Sequence, residues 1–321
     1  MQKKLLLLLL PVILTATSCD ITFNIGGTSS SSPSSPSSEA ESDLPDDSET
    51  EDSGYESEDE EPSAESSSVQ QSGWVLSWSD EFEGTSLDTG NWEYMLGDGS
   101  SYGIQGWGNS EEQYYKSDNA AVEDGNLVIT AKRESYGGYS YTSARIRSKG
   151  KVTTTYGKIE ARIKLLSGTG LWPAFWMLPE NNYESQGWPH SGEIDIMEAR
   201  GRVTNQSSSA LHYSDNGNNH TYQNGTNYLG FGTIEEYHVY GVEWTRESMI
   251  FYCDDNQFLT VTRDQWQTNA YSSNDGPFDQ PFHILINMAV GGSFDSYYSP
   301  DSSFQSASMY VDYVRIYDWF D

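Results

Sequence analysis

Short runs of apolar residues, separated by Gly, Asn, Asp and Ser, fill the chain from residue 74 to its end. Apolar and polar residues alternate most clearly from Lys158 to Lys164, which gives a β-strand one apolar and one polar face. No long stretch has the apolar spacing of a helix. The pattern predicts these strands: Leu127–Lys132, Lys158–Leu165, Ala174–Leu178, Glu193–Glu198, Ser208–His212, His238–Trp244, Met249–Cys253, His283–Val290 and Met309–Tyr317.

Many short strands with frequent turns predict a single all-β domain over residues 74–321, built as a two-sheet sandwich or a barrel. A chain of about 250 residues buries ~70% or more of its unfolded surface, so its core can be large. The only cysteine in this region is Cys253. We expect it to be a packed thiol on its strand and not a nucleophile.

The first nineteen residues have the layout of an export signal. Two lysines precede an apolar run from Leu5 to Leu14, which is too short to span a membrane. Cys19 after Ala16-Thr17-Ser18 resembles the cleavage box of bacterial lipoproteins, in which the cysteine is acylated. The alternative is plain signal-peptide cleavage beside an incidental cysteine. We expect an exported protein in the cell envelope or at the cell surface, attached to the membrane only through this lipid.

Residues 20–73 are rich in Ser, Pro and acids, with fifteen Asp and Glu and no Lys or Arg. Such a segment has little to bury and repels itself, which predicts a disordered linker. The whole chain has a formal net charge of −31. So acidic a surface repels phosphate backbones, which argues against nucleic-acid binding but does not disturb a neutral polysaccharide.

The most informative strand is Glu193–Glu198, with the sequence EIDIME. Alternate residues of a strand share a face, so Glu193 and Asp195 point one way. Strict alternation would place Glu198 on the opposite face. One inserted residue, a β-bulge at Ile196–Met197, would return it to the face of the other two acids, and bulges are common near active sites.

Three crowded carboxyl groups raise one another's pKa, which suits an enzyme that needs one ionised and one protonated carboxyl. Retaining glycosidases use such a pair ~5–5.5 Å apart. Positions four or five apart on a strand are more than ~13 Å apart at Cα, so the strand has to curve inward to bring the carboxyls together. The structural alternative is a solvated edge strand whose acids simply face water.

Tryptophans surround this strand in the sequence. Trp172 and Trp176 precede it in LWPAFWM, and Trp188 lies in between. Flat aromatic faces suit the axial C–H surfaces of sugar rings. We predict that Trp172 and Trp188 stack on sugar, while Trp176 either contributes to the same surface or belongs to the core.

At this point the sequence resembles glycoside hydrolase family 16, in the bulged form of its laminarinase-like endo-1,3-β-glucanases. The unbulged form is typical of its lichenases. The resemblance covers residues 74–321 and rests on several blocks together: Ser79–Phe82, Gly106–Glu111 with Gln113–Tyr115, Trp172–Leu178, Glu193–Glu198, Ala210–Tyr213, Asn287–Gly292 and Val311–Tyr317. After Gly292 the chain lacks the tryptophan that is usual in relatives.

The resemblance implies a β-jelly roll of two curved antiparallel sheets with a concave substrate cleft. It assigns Glu193 as nucleophile, Asp195 as the residue that tunes its charge and proton, and Glu198 as acid/base. His212 matches a histidine that faces the catalytic strand, and we expect it near Asp195 or the sugar; the alternative is a histidine satisfied on a neighbouring strand. Two further residues match a loop that contacts sugars on the non-reducing side, or cap that loop: Asn109 and Glu111.

Many relatives also hold a structural calcium ion, and Glu83, Gly125 and Asp312 lie in the matching blocks. Oxygen ligands scattered along the chain suit such a hard cation. The alternative is that Asp312 pairs with a lysine or arginine. No cofactor is expected for catalysis.

The leading hypothesis is therefore a monomeric endo-β-1,3-glucanase that acts on β-glucan by double displacement. The alternatives within the class are a β-1,3-1,4-glucanase and a transglycosylase, with agarose and carrageenan less favoured as substrates. The alternative outside the class is a β-glucan-binding protein, which the presence of all three carboxylates disfavours.

Overall fold

The computed structural model describes residues 72–321. Within this range the strands are, in chain order, β1 (Gly73–Asp80), β2 (Glu93–Tyr94), β3 (Gln113–Tyr115), β4 (Ala120–Glu123), β5 (Asn126–Lys132), β6 (Tyr141–Ser143), β7 (Arg145–Arg147), β8 (Thr153–Thr154), β9 (Gly157–Leu165), β10 (Leu171–Pro179), β11 (Glu193–Glu198), β12 (Gln206–Ser214), β13 (His220–Tyr228), β14 (His238–Trp244), β15 (Ser248–Cys253), β16 (Asn256–Thr262), β17 (Phe282–Val290) and β18 (Ser306–Phe320). The helices are short: α1 (Arg263–Trp266) and four 3₁₀ turns at Ser100–Tyr102, Gln105–Gly108, Ser117–Asn119 and Tyr183–Ser185.

Two sheets contain these strands. The ten-stranded sheet has the order β16-β15-β14-β9-β18-β5-β6-β3, with β1 beside β18 and β4 beside β5. The eight-stranded sheet has the order β13-β12-β11-β10-β17-β7-β2, with β8 beside β17. Neighbouring strands run antiparallel, apart from the parallel pair β3 and β6. This is an all-β sandwich of two sheets, one of the two architectures that the strand pattern predicts.

The core lies between the two sheets, and β9 shows how its sequence forms it. Ile159, Ala161 and Ile163 have no exposed surface, while the charged residues between them point away from the core. The predicted alternation is therefore confirmed. Fully burying one such isoleucine contributes ~1.5–3 kcal/mol. No disulfide is present within residues 72–321, where Cys253 is a buried, free thiol, as expected.

The central strand β17 is buried on both faces, because it has the core on one side and a second apolar cluster on the other. This second cluster contains Leu285 together with Met95, Trp107 and Tyr115, with Trp176 packed against it. The eight-stranded sheet therefore has a partly covered outer face, and the covered part forms one end of the candidate site described below.

All nine predicted strands are present, with ends that differ by up to three residues. The predictions omitted the other nine strands, which are β1–β4, β6–β8, β13 and β16. Six of these have four residues or fewer, and β13 is mostly polar and exposed and carries no apolar alternation. Gly73, which was assigned to the linker, is the first residue of β1. The signal peptide, Cys19 and the linker up to residue 71 lie outside the described residues. No helix within residues 72–321 has the length and apolar character that a membrane crossing requires.

Candidate active site

A β-bulge in β11 brings the three acids of EIDIME to one face. Two residues, Ile196–Met197, lie between Asp195 and Glu198, where the neighbouring strand β12 has a single residue, Ser209. The Ser209 hydroxyl donates a hydrogen bond to the carbonyl of Ile196 (2.7 Å) and so holds the extra residue in place. The predicted bulge is confirmed, and Glu198 lies on the same side of the sheet as Glu193.

The residue before β11 has a backbone conformation that only glycine adopts without strain. Gly192 has φ = 84°, in the left-handed region, and a Cβ there would lie 2.9 Å from Pro277 Cγ. The chain therefore turns sharply into Glu193, which is the first residue of β11.

Above this face lies a cavity of about 380 Å³ that opens to solvent. The three acids of β11 line it, and so do most of the residues that the sequence predicts to bind substrate. Its lining includes Glu193, Asp195, Glu198, Trp172, Trp176, Trp188, Asn109 and Glu111. His212 lies behind these residues, in contact with Asp195. The fold therefore gathers residues from four separate parts of the chain around one cleft.

Trp172 forms a hydrogen bond with Glu198 that orients its carboxyl group. Its indole N–H donates to Glu198 Oε1 (2.9 Å), and one face of its ring is stacked on Phe294, with centroids 4.9 Å apart and planes 20° apart. Asp295, fully buried, accepts hydrogen bonds from Arg202 and so anchors the loop that carries Phe294. Trp172 thus orients a carboxyl group in addition to lining the cleft.

Trp176 and Trp107 enclose a guanidinium between them. The Cζ atom of Arg145 lies 4.7 Å from the ring centroid of Trp176 and 4.6 Å from that of Trp107. The indole N–H of Trp176 donates to Asn287 Oδ1 (2.8 Å). Arg145, only 4% exposed, therefore covers one face of Trp176 and places a buried positive charge at this end of the cleft.

Trp188 is the most exposed of the three candidate tryptophans, and two histidines and a tyrosine lie beside it. It is 53% exposed, and its ring centroid lies 4.7 Å from that of His220 and 6.3 Å from that of His212. Tyr222, 54% exposed, packs beside both histidines. An aromatic surface thus extends from the loop before β11 across β12 to β13.

His212 occupies the expected position. Its Nε2 lies 3.1 Å from Asp195 Oδ2, and its Nδ1 lies 2.8 Å from Nε2 of His220. Asp195 is 4% exposed, so an ionised carboxylate there depends on this neighbour for compensation. One side-chain oxygen or nitrogen atom from each of Glu193, Asp195 and His212 lies within 4.8 Å of the other two.

The contacts of Glu111 support the second role considered for it, which is to cap its loop. It is buried and accepts hydrogen bonds from Gln113 Nε2 (2.6 Å), Tyr115 Oη (2.9 Å) and Asn109 Nδ2 (3.4 Å). These bonds occupy the carboxylate and tie the loop to β3. Glu111 therefore shapes the wall of the cleft, and Asn109 contributes both to that network and to the lining.

Burial dominates the electrostatics of the three acids. It raises the pKa of Glu198 from its ordinary value of 4.5 to about 8, with a further increase from the nearby Asp195. Burial and then Asp195 also raise the pKa of Glu193, whereas His212 and Arg145 act in the opposite direction. The pKa values of Glu193 and Asp195 are raised to about 8 as well, so all three carboxyl groups hold a proton more tightly than usual. A carboxyl group with a pKa near 8 keeps its proton at pH 7, which is the state that a general acid requires, but this shift alone does not separate the general acid from the nucleophile.

Sequence reasoning omitted Arg145 and His220 from the site. Arg145 begins the short strand β7 and has no acid near it in sequence that would mark it as functional. His220 begins β13, the strand that the apolar pattern does not reveal. Both residues become visible only when the sheet places their strands beside the cleft.

The proposed calcium ligands show a different arrangement. The Oδ2 atom of Asp312 lies 2.8 Å from Nη1 of Arg162, which is the ion pair considered as the alternative. Because the guanidinium already compensates this carboxylate, Asp312 fits the role of an ion-pair partner better than that of a calcium ligand. Glu83 is exposed near the start of the domain, and Gly125 lies in the turn between β4 and β5.

A two-sheet β-sandwich that carries three neighbouring carboxyl groups and several tryptophans in an open cleft is the arrangement of a glycoside hydrolase. Comparison with known proteins agrees. The family model described as glycosyl hydrolases family 16 matches residues 108–315. A second model, described as beta-glucan synthesis-associated protein SKN1/KRE6/Sbg1, matches residues 3–209. The chain belongs to glycosyl hydrolases family 16.

Individual relatives give the same result. The beta-glucanase of Rhodothermus marinus is 39% identical over 251 residues, which are 77% of this chain and 86% of that protein. The glucan endo-1,3-beta-glucosidase A1 of Niallia circulans is 39% identical over 266 residues, which are 76% of this chain but only 38% of that longer protein.

Solved structures confirm the jelly-roll fold. The laminarinase of Rhodothermus marinus has a TM-score of 0.70 and 40% identity, and the match covers 78% of this chain and 99% of that one. The catalytic domain of an endo-1,3-beta-glucanase (laminarinase) from Thermotoga petrophila RKU-1 has a TM-score of 0.70 and 37% identity, with coverage of 78% and 100%.

Proposed function

We propose that this chain is an endo-acting β-1,3-glucanase that hydrolyses glycosidic bonds with retention of configuration. The observation that carries the proposal is the bulge in β11, because it turns Glu198 into the cleft that also contains Glu193. The names of the similar proteins, a beta-glucanase and several laminarinases, support β-1,3-glucan as the substrate class.

In the proposed mechanism, Glu193 attacks the anomeric carbon and forms a glycosyl–enzyme intermediate. Glu198 donates its proton to the departing glycosidic oxygen and then removes a proton from the water that hydrolyses the intermediate. The raised pKa of Glu198 keeps the proton available. The Trp172 N–H donates to one oxygen of Glu198 and holds the carboxyl group in position for both proton transfers.

Asp195 and His212 are proposed to control the charge on the nucleophile. Asp195 lies between the two glutamates on β11, and ionising it raises the pKa of both. His212, 3.1 Å from Asp195, stabilises negative charge on this cluster. Arg145 contributes from the other side, because its buried guanidinium favours the ionised form of Glu193.

The net charge of the chain favours a neutral polysaccharide over a sulfated one. The chain as a whole carries a net charge of −31, which repels sulfate groups, whereas the cleft itself combines the three acids with Arg145, Arg147 and Lys149. Trp188 offers an open aromatic face near the nucleophile, and we propose that it stacks on a glucose ring.

A transglycosylase is the second candidate, since a sugar can intercept the same glycosyl–enzyme in place of water. The match of residues 3–209 to a beta-glucan synthesis-associated model favours keeping this alternative. Mixed-linkage β-1,3-1,4-glucan is the alternative substrate. A Penaeus monodon relative is named as a beta-1,3-glucan-binding protein, but the three carboxyl groups in the cleft argue against binding alone.

The decisive experiment profiles products from laminarin, lichenan and agarose, with NMR of the anomeric proton in the first seconds of reaction. We expect a ladder of short β-1,3-linked products from laminarin with the β-anomer first. Initial release of the α-anomer would overturn retention. Products that contain an isotopically labelled acceptor sugar would identify the transglycosylase.

Export and lipid attachment through Cys19 and a monomeric state are further proposals that rest on the sequence. The calcium site at Glu83, Gly125 and Asp312 stays a hypothesis from the sequence, which the Arg162–Asp312 ion pair disfavours. Mass spectrometry of the protein purified from membranes tests the lipid attachment, because acylation adds the mass of lipid to Cys19. A Cys19→Ser variant should leave the membrane fraction.

A further inference from the structure

A second cluster of polar side chains lies away from the cleft, at one end of the ten-stranded sheet. His238 begins β14, Cys253 ends β15, and Asp254 follows in the turn to β16. One donor atom from each of these residues lies within 4.8 Å of the other two. The imidazole and the thiol are buried, whereas the side chain of Asp254 is half exposed. The cluster is thus enclosed on the core side and open to solvent through the carboxylate.

The contacts of His238 determine its chemistry. Its Nε2 lies 3.0 Å from the carbonyl oxygen of Thr233, and a carbonyl only accepts hydrogen bonds, so Nε2 carries a hydrogen. Its Nδ1 lies 2.8 Å from Oδ2 of Asp254, which is also an acceptor. Neutral His238 would therefore direct the lone pair of Nδ1 at a carboxylate. Either a second proton or a cation has to lie between these two atoms.

The surroundings match those of a metal ligand. A metal-binding histidine usually donates its other ring N–H to a backbone carbonyl or carboxylate, and His238 does so to Thr233. The second carboxylate oxygen of Asp254 accepts a hydrogen bond from the backbone N–H of Val239 (2.9 Å), which fixes its orientation. Both candidate ligands are thus held in place by the backbone.

A buried hydroxyl group provides an independent observation. Tyr240 pairs with Cys253 across β14 and β15, so the two side chains leave the sheet on the same face. The hydroxyl of Tyr240 is buried and has no hydrogen-bond partner among the described residues. An ion with a bound water would give this hydroxyl a partner.

We propose that His238, Cys253 and Asp254 bind one divalent transition-metal ion of the zinc type through Nδ1, Sγ and Oδ2, with water as the fourth ligand. Thiolate, imidazole and carboxylate are the ligand types that zinc prefers, and tetrahedral coordination separates such donors by roughly 3.3–3.7 Å. The Nδ1–Oδ2 pair at 2.8 Å has to open slightly, and the sulfur already lies within 4.8 Å of both atoms. Binding transfers the thiol proton, and any second imidazole proton, to solvent.

Cobalt(II) tests the proposal because a cobalt–thiolate bond has a charge-transfer absorption in the near ultraviolet. The full chain with Cys19→Ser is used, so that Cys253 is the sole thiol. We expect this absorption to saturate at one equivalent and to disappear when zinc is added. Cys253→Ser should abolish it and weaken zinc affinity at least tenfold by calorimetry, and Asp254→Asn should weaken affinity without loss of fold.

Glu193→Gln is the matched control, because it removes a carboxyl from the His–carboxylate cluster in the cleft and leaves Cys253 intact. The charge-transfer absorption should persist in this variant. Absence of the absorption in the Cys19→Ser protein, or its survival in a folded His238→Gln variant, would overturn the proposal. In the first case the cluster is only an imidazolium–carboxylate ion pair. Thermal melting of each variant establishes that it is folded.

Discussion

Replacing the candidate acid/base by its amide should stabilise the protein at neutral and alkaline pH. Burial raises the pKa of Glu198 to about 8, so the folded state binds its proton more tightly than the unfolded state does. Between about pH 4.5 and pH 8 the folded protein therefore loses stability as the pH rises. Glu198→Gln removes this loss and keeps an oxygen that accepts the hydrogen bond from Trp172.

The structure sets the size of this effect. A rise in pKa from 4.5 to about 8 corresponds to at most about 5 kcal/mol for a fully desolvated carboxylate. Glu198 lines an open cleft, and water screens its charge. We therefore expect a gain in the free energy of unfolding of about 1–2 kcal/mol at pH 8, or about 3–6 °C in Tm for a domain of this size.

Differential scanning calorimetry at pH 4, 6 and 8 measures the effect. The gain should vanish at pH 4, where Glu198 is protonated in both the folded and the unfolded state. Glu81→Gln is a control of opposite sign: hydrogen bonds from Arg315 lower the pKa of Glu81, so its stabilising effect exists at pH 8 and decreases as the pH falls. A Glu198→Gln protein that melts at or below the wild-type temperature at pH 8 would refute the reasoning, as would an equal gain at pH 4.

Four further outcomes follow from the same structure. Glu193→Gln should reduce turnover of laminarin at least 10³-fold, as expected for loss of a nucleophile. Calorimetry should show that its glucan affinity stays within a few-fold of wild type. Appreciable activity of this variant would show that Glu193 is not the nucleophile. Glu198→Ala should slow substrates with poor leaving groups most, and added azide should restore turnover with formation of a β-glycosyl azide, detected by mass spectrometry. Phe294→Ala uncovers one face of Trp172, the residue that hydrogen-bonds to Glu198, and should therefore lower kcat more than it raises KM. Chemical denaturation should show a loss of about 1–3 kcal/mol in the free energy of unfolding. An unchanged kcat would show that the stack is only structural. Chelation by EGTA should leave Tm within about 1 °C, because Asp312 already has a guanidinium partner, whereas a large fall would restore the calcium hypothesis.

Local patterns determined much of the fold. The alternation in β9 and the apolar runs of β14 and β17 predicted the strands, because a strand that packs on a core has to place an apolar residue at every second position. The bulge in β11 was predictable because Ile194 and Ile196 share one face and the acids the other. A strand with regular alternation would have placed Glu198 on the face opposite to the other two acids. β13 escaped prediction because its exposed face needs no apolar residues.

The sequence by itself determined that one strand carries three acids in a β-rich domain, and the resemblance to a known family then assigned their roles. Only the tertiary structure decided which distant residues surround them. Arg145 lies between Trp107 and Trp176 because separate strands and a loop meet at one end of the cleft. Sheet pairing sets such neighbours, and no periodicity along the chain encodes pairing between remote strands.

The same limit applies to Cys253. Its sequence neighbourhood has no histidine, and it was therefore predicted to be an inert, packed thiol. Antiparallel pairing of β14 with β15 brings His238 beside it, together with the hydroxyl of Tyr240. A side chain's periodic position is a local property that sequence reveals, whereas the partners that give it chemistry come from strand register, which is decided by the packing of the whole domain.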